Sequence, residues 1–144
     1  MEKKRILVLN GANMDTLGKR DTGALGCDTL DSIMAELAVY AQAHHVELTC
    51  VQSNFEGELI QRLHEADGSA DAVILNPGSF VHYARGLQEA ISGLPVPCIE
   101  VHLANFFRKP ENHSVLAVSC RGVVCGFGKA SYQVALDGLL RILA

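Results

Sequence analysis

The sequence predicts an α/β protein, a three-layer α/β/α sandwich around a five-stranded parallel sheet. Three observations lead there. Five apolar runs of four to eight residues are rich in Val, Ile and Leu, as strands buried on both faces are. Four other stretches repeat apolar residues at three- and four-residue intervals, the mark of a helix with one buried face. The two kinds alternate with short connections, and repeated β-then-α units imply right-handed crossovers with helices on both faces of the sheet.

Taken in order, the strands are expected at Arg5 to Asn10, Val46 to Ser53, Ala72 to Asn76, Pro97 to His102 and Gly122 to Cys125. The helical faces are Leu30, Ile33, Leu37 and Ala41; Leu59, Leu63 and Ala66; Phe80, Ala84, Leu87 and Ile91; and Val134, Leu136, Leu139 and Leu143. Asp28-Thr29 precedes the first helix as a cap, and Ser53-Asn54-Phe55-Glu56 fits a capping box for the second. This order is that of a flavodoxin-like fold, with residues 1–144 forming a single domain.

Composition narrows the function. With 144 residues, a net charge of -4 and no Lys/Arg cluster interleaved with aromatics, the chain is not a general nucleic-acid binder. An anionic ligand therefore needs a local cationic pocket. The five cysteines are odd in number, scattered and without a C-x-x-C pair, so they read as free thiols of a reducing cytoplasm. Cys98 and Cys125 lie in apolar runs as small hydrophobes. No signal segment and no stretch long enough to span a bilayer is visible, which makes a soluble cytoplasmic protein without a membrane partner the expectation.

Ligands of such folds sit outside the carboxyl ends of the strands, where strand order reverses. That rule selects Asn10, Gly11 and Asn13 after the first strand, Asn76 to Ser79 with His82 after the third, and Glu100, His102 and Asn105 at the fourth. Asn76-Pro77-Gly78-Ser79 leads into a helix and suits an anion at its N-terminus, or is simply a turn with a cap. Glu100 and His102 alternate onto one side of their strand. A carboxylate there fixes the imidazole tautomer and supports the protonated form that a general acid needs, and the same pair also reads as two buried groups satisfying each other. Arg20 lies in a long glycine-containing connection, either a lid residue hinged at Gly18, Gly23 and Gly26 or a solvated arginine. Adjacent His44 and His45 with Asp15 and Asp21 complete no metal set, and neither metal nor cofactor is assigned.

These residues resemble the type II 3-dehydroquinate dehydratases along nearly the whole chain. NGANMDTLGKRD is similar to that family's N-G-P-N-L-N-x-L-G-x-R-E, QSNFEGELIQRLHEA to Q-S-N-x-E-G-x-L-I-x-x-I-H-E-A, and LNPGSFVHYARGLQEAI to N-P-G-A-Y-T-H-T-S-x-A-L-R-D-A. IEVHLAN, then HS, then GVVCGFGKASYQVAL follow in order. The resemblance implies a carbon-oxygen lyase of the shikimate pathway or quinate metabolism. It eliminates water in the anti sense from 3-dehydroquinate, through an enolate, with no cofactor, in a homododecamer built as a tetramer of trimers. Carried over, Asn13 stands near the enolate, Arg20 is the lid arginine, and His102 is the general acid oriented by Glu100. Asn76, Gly78, His82, Leu103, Ala104 and Arg108 fall at or beside positions that contact the small anionic hydroxy acid.

The chain departs from the family pattern at several of these positions. The lid tyrosine that takes the substrate proton is Leu25, which accepts none; water or Asp21 would have to replace it. The serine expected two residues after the general acid is Ala104. The segment from Asn105 to His113 is two residues shorter than in the family, with Glu111 near the place of an arginine. Arg108 or Lys109 would compensate, and Arg85, three residues after His82, is expected on the same helical face with a positive charge to offer. A paralogue acting on another hydroxylated acid, or a non-catalytic member that binds a metabolite or keeps the assembly, is the alternative. A flavodoxin or receiver domain fits less well, because the first loop lacks a hydroxyl-rich phosphate cradle and the first strand lacks a following acidic pair.

Overall fold

The computed structural model describes residues 2–19 and 27–144. Five strands form one parallel sheet: β1 (Lys4–Ala12), β2 (Val46–Gln52), β3 (Ala72–Gly78), β4 (Cys98–His102) and β5 (Gly122–Cys125), in the order β2-β1-β3-β4-β5. All five predicted runs are strands. The α-helices are α1 (Leu30–Ala43), α2 (Glu56–Ala66), α3 (Arg85–Ser92) and α4 (Ser131–Leu143).

Alternation along the strands builds two cores. Ile6, Val8, Ile74 and Val101 face α1 and α4, meeting Ile33, Leu37, Leu136 and Leu139. Leu7, Leu9, Val73 and Leu75 face the other way, against Leu59 and Leu63 of α2 and Leu87 and Ile91 of α3. The inner strands β1, β3 and β4 are covered on both faces and need no polar side, which is why they read as largely apolar runs, whereas the edge strands β2 and β5 are partly exposed. No helix among the described residues is long and apolar enough to cross a membrane.

Three local expectations are corrected. The face Phe80, Ala84, Leu87, Ile91 is buried as expected but is not one helix: Ser79–His82 is a 3-10 turn and α3 starts at Arg85. The Val81 carbonyl accepts from Val115 N at 2.9 Å, so it does not hold the N–H four residues on, and Tyr83 and Ala84 leave helical geometry. The capping box is shifted. Ser53 Oγ accepts from Phe55 N and donates to Glu58 Oε2, each at 3.0 Å, while Glu56 accepts from Leu87 N at 3.0 Å in the first turn of α3. One helix thus caps the next, satisfying an N–H without an intrahelical partner. In α4 it is Tyr132 and Ala135, not Val134, that join Leu136 and Leu139 inside; Val134 is exposed. Thr29 caps α1 as expected, accepting from Ser32 N at 3.1 Å.

Close backbone packing at the carboxyl ends of β1 and β3 sets the shape of the crevice. Ala12 pairs with Gly78, whose φ of 58° and ψ of -141° suit glycine, and a Cβ there would overlap the Ala12 carbonyl. At Gly11 a Cβ would meet the Pro77 carbonyl in the same way.

Candidate active site

Strand order reverses between β1 and β3, and a cleft of about 240 Å³ opens beside the ends of β3 and β4. It is lined by Met14, Leu17, Asn76, Gly78, Ser79, Val81, His82, His102, Leu103, Ala104 and Phe106. A separate hollow of about 160 Å³ lies at the amino ends of β1 and β2, around Arg5 and Glu47. Arg5 there is paired with Asp71 at 3.3 Å, and no histidine or thiol lines it. The chemistry of the side chains favours the first cleft.

Glu100 and His102 end β4 on one side of the strand. His102 Nε2 lies 2.6 Å from Glu100 Oε2, and Ser114 Oγ donates to the other oxygen at 2.7 Å. Ser114 is held in turn, accepting from Leu116 N at 3.2 Å and Ala117 N at 3.0 Å. Glu100 is 0% exposed and His102 8%. A carboxylate only accepts, so Nε2 carries the proton in this bond and Nδ1 is the nitrogen left for other chemistry. Phe106 stacks on the His102 ring, centroids 4.6 Å apart and planes 13° from parallel, and also meets His82 at 5.7 Å. The imidazole is therefore fixed at its edge by Glu100 and on its face by Phe106.

A second network sits under the cleft. Asn10 and Asn76 are register partners on β1 and β3. The buried Tyr132 hydroxyl donates to Asn10 Oδ1 at 2.6 Å and accepts from Asn76 Nδ2 at 3.0 Å, while Asn76 Oδ1 accepts from Gly78 N at 3.3 Å. Burial pushes the tyrosine hydroxyl well above its ordinary pKa, so it stays a protonated donor. Replacing Tyr132 by Phe leaves the Asn10 oxygen and an Asn76 N–H without that partner in a buried place. The expected loss is about 2 kcal/mol of stability, read as a lower denaturation midpoint in urea.

The first loop is held from β2. Asn13 adopts the left-handed conformation at φ 69°; its backbone N donates to Asn54 Oδ1 at 2.8 Å and its Nδ2 to Ser79 Oγ at 3.3 Å. Gln52 Nε2 donates to Gly11 O at 3.2 Å and to Asn54 Oδ1 at 3.1 Å. The Gln52-Ser53-Asn54 run, legible as a motif, thus acts as the clamp of the loop.

Of the residues expected at the site, Asn76, Gly78, His82, His102, Leu103 and Ala104 line the cleft. Glu100 lies behind His102, and Asn13 reaches the lining through Ser79. Arg108 is exposed at the end of the 3-10 turn Phe106–Arg108 and stands outside the lining. Arg85 is also exposed and outside it, at the first residue of α3, so the compensating charge expected on a shared face with His82 is not there. Arg20 and Leu25, with Asp21, lie outside the described residues. Met14, Leu17, Val81 and Phe106 join the lining, and Ser114 and Tyr132 the supporting bonds, without having been singled out from sequence. Among the described residues no three His, Cys, Asp or Glu side chains form a metal-holding group, and all five cysteines are free.

Comparison with known proteins finds matches along nearly the whole chain. The family described as Dehydroquinase class II matches residues 4–140. A 3-dehydroquinate dehydratase of Synechococcus sp. (strain CC9902) is 46% identical over 140 residues, covering 96% of each chain. The crystal structure of a type II dehydroquinase from Butyrivibrio crossotus DSM 2876 superposes with a TM-score of 0.93 at 31% identity, covering 96% of this chain and 98% of the other. A type II dehydroquinase from Propionibacterium acnes does so with 0.91 at 33% identity, over 96% and 97%.

Proposed function

The chain belongs to the class II dehydroquinase family, and from that membership we propose that it is a 3-dehydroquinate dehydratase-like lyase working without its family's tyrosine base. The supporting observation is the buried chain Ser114–Glu100–His102 opening on the cleft. In the proposed reaction a proton leaves C2 of 3-dehydroquinate, the electrons form an enolate, and the enolate collapses to the conjugated enone as hydroxide departs. His102 gives its Nδ1 proton to that hydroxide, which leaves as water. Glu100 accepts from Nε2 before and after the transfer, so it stabilises the imidazolium and holds one tautomer. Asn13 and Arg20 are assigned to the enolate oxygen. Asn76, Gly78 and His82 are assigned to the ring hydroxyls, and the Leu103-Ala104 segment to the carboxylate. Leu25 has no group to take the C2 proton, and a general base contributes about 10²–10⁴-fold, so turnover is slow by that factor.

The test is to add 3-dehydroquinate to the purified protein and follow the near-ultraviolet absorbance of the enone. Saturable binding with slow turnover that His102→Ala abolishes is expected; absence of both binding and turnover rejects the reading. A second reading, a paralogue acting on a different hydroxylated acid, is favoured by Ala104 and Phe106, which give one wall of the cleft an apolar character. Binding of another hydroxylated carboxylic acid with 3-dehydroquinate excluded would establish it.

We also propose a cytoplasmic homododecamer, a tetramer of trimers. Val39, Phe55, Val118 and Phe127 are 72%, 73%, 81% and 62% exposed, an apolar load that association would cover. Light scattering behind size exclusion should give twelve times the chain mass, and a monomer would reject the assembly.

A further inference from the structure

Among the described residues lining the cleft, Ser79 is the only one with a side-chain hydroxyl. Its position follows from the backbone: Gly78 turns the chain at the end of β3, and Ser79 starts the 3-10 turn that ends at His82. Of the other polar side chains on the wall, Asn76 and His102 already spend part of their hydrogen-bonding capacity within the protein, and His82 presents an imidazole. The Asn76 amide is tied to Tyr132 and to Gly78 N, and His102 uses Nε2 on Glu100. Ser79 Oγ accepts from Asn13 Nδ2 at 3.3 Å, and a hydroxyl that accepts one bond keeps a proton to donate. That proton belongs to an exposed residue on the wall, where a ligand oxygen can take it. Across the cleft Ala104 offers no such group.

We propose that Ser79 is a substrate-binding and specificity-determining residue, donating its hydroxyl proton to an oxygen of the bound hydroxy acid. Asn13 holds the serine rotamer, and polarisation through the Asn13–Ser79 bond strengthens the donor. The cleft thereby carries its hydroxyl on the β3 side rather than on the β4 side. This rests on the substrate reading above.

Calorimetry with 3-dehydroquinate on the parent and on Ser79→Ala tests it. The expected result is an approximately tenfold weaker Kd for the variant, the effect of one hydrogen bond to a ligand. In an Asn13→Ala background the same serine substitution still weakens binding at least about threefold, because the donated bond goes to the ligand and not only to Asn13. Equal affinity of Ser79→Ala and parent overturns the assignment while leaving the substrate reading intact. No further loss in the Asn13→Ala background also overturns it, since Ser79 would then act only through Asn13. A parent that gives no saturable heat with 3-dehydroquinate rejects the substrate reading itself, and the assignment of Ser79 to that substrate falls with it.

Discussion

Replacing Leu25 by tyrosine raises the turnover of 3-dehydroquinate by about 10²–10⁴-fold, the usual contribution of a positioned general base. Other parts of the machinery assigned to this reaction are retained: His102 with its buried carboxylate, Asn13 clamped by Asn54, and Asn76 on the wall. A phenol near a cationic group can exist as the phenolate that removes the C2 proton, and Arg20 lies five residues before position 25 in sequence. The gain should appear in kcat, because the base acts in the transition state, with KM changed far less. Initial rates of enone formation across a substrate series check this. A variant that binds 3-dehydroquinate but turns over no faster than the parent would place the defect in the cleft, and Ala104→Ser in the same background is then the informative second change.

Exchanging Glu100 for glutamine lowers kcat by about 10²-fold or more while costing little stability. Serine proteases show the logic: exchange of the orienting aspartate for asparagine leaves the geometry intact but selects the wrong histidine tautomer. Here an amide N–H in place of Glu100 Oε2 would donate to Nε2, forcing the neutral ring to carry its proton on Nδ1. Initial rates of enone formation in the Leu25→Tyr background check this. Glu100→Ala behaves differently: it strands Ser114 and His102 in a buried place, and the free energy of unfolding should fall by about 3 kcal/mol. Full activity in Glu100→Gln would remove Glu100 from the role of orienting carboxylate.

Much of the fold was legible because its signals are local. Strands covered on both faces must be apolar throughout, so the run from Ala72 to Leu75 declares β3, and Thr29 declares the start of α1. The Glu100–His102 pair was legible for the same reason, since two residues apart on a strand share a side. The break between Phe80 and Leu87 was not, because the carbonyl that a continuous helix needs is taken by Val115, on another part of the chain. Arg85 was misplaced as a direct result, since its assignment to the face of His82 assumed an unbroken helix.

Chain order and residue type settled the architecture, the family resemblance and the departures at Leu25 and Ala104, since each is written in a pattern no longer than a few turns or a motif. Folding settled which groups meet. Tyr132 reaches Asn10 and Asn76 from α4, Ser114 closes on Glu100, Phe106 lies flat on His102, and Ser79 receives Asn13. Apart from Phe106, which is four residues from His102, these are contacts between residues far apart in sequence. Hydrogen bonds of this kind depend on distance and angle after packing, and neighbouring letters in the chain do not encode either.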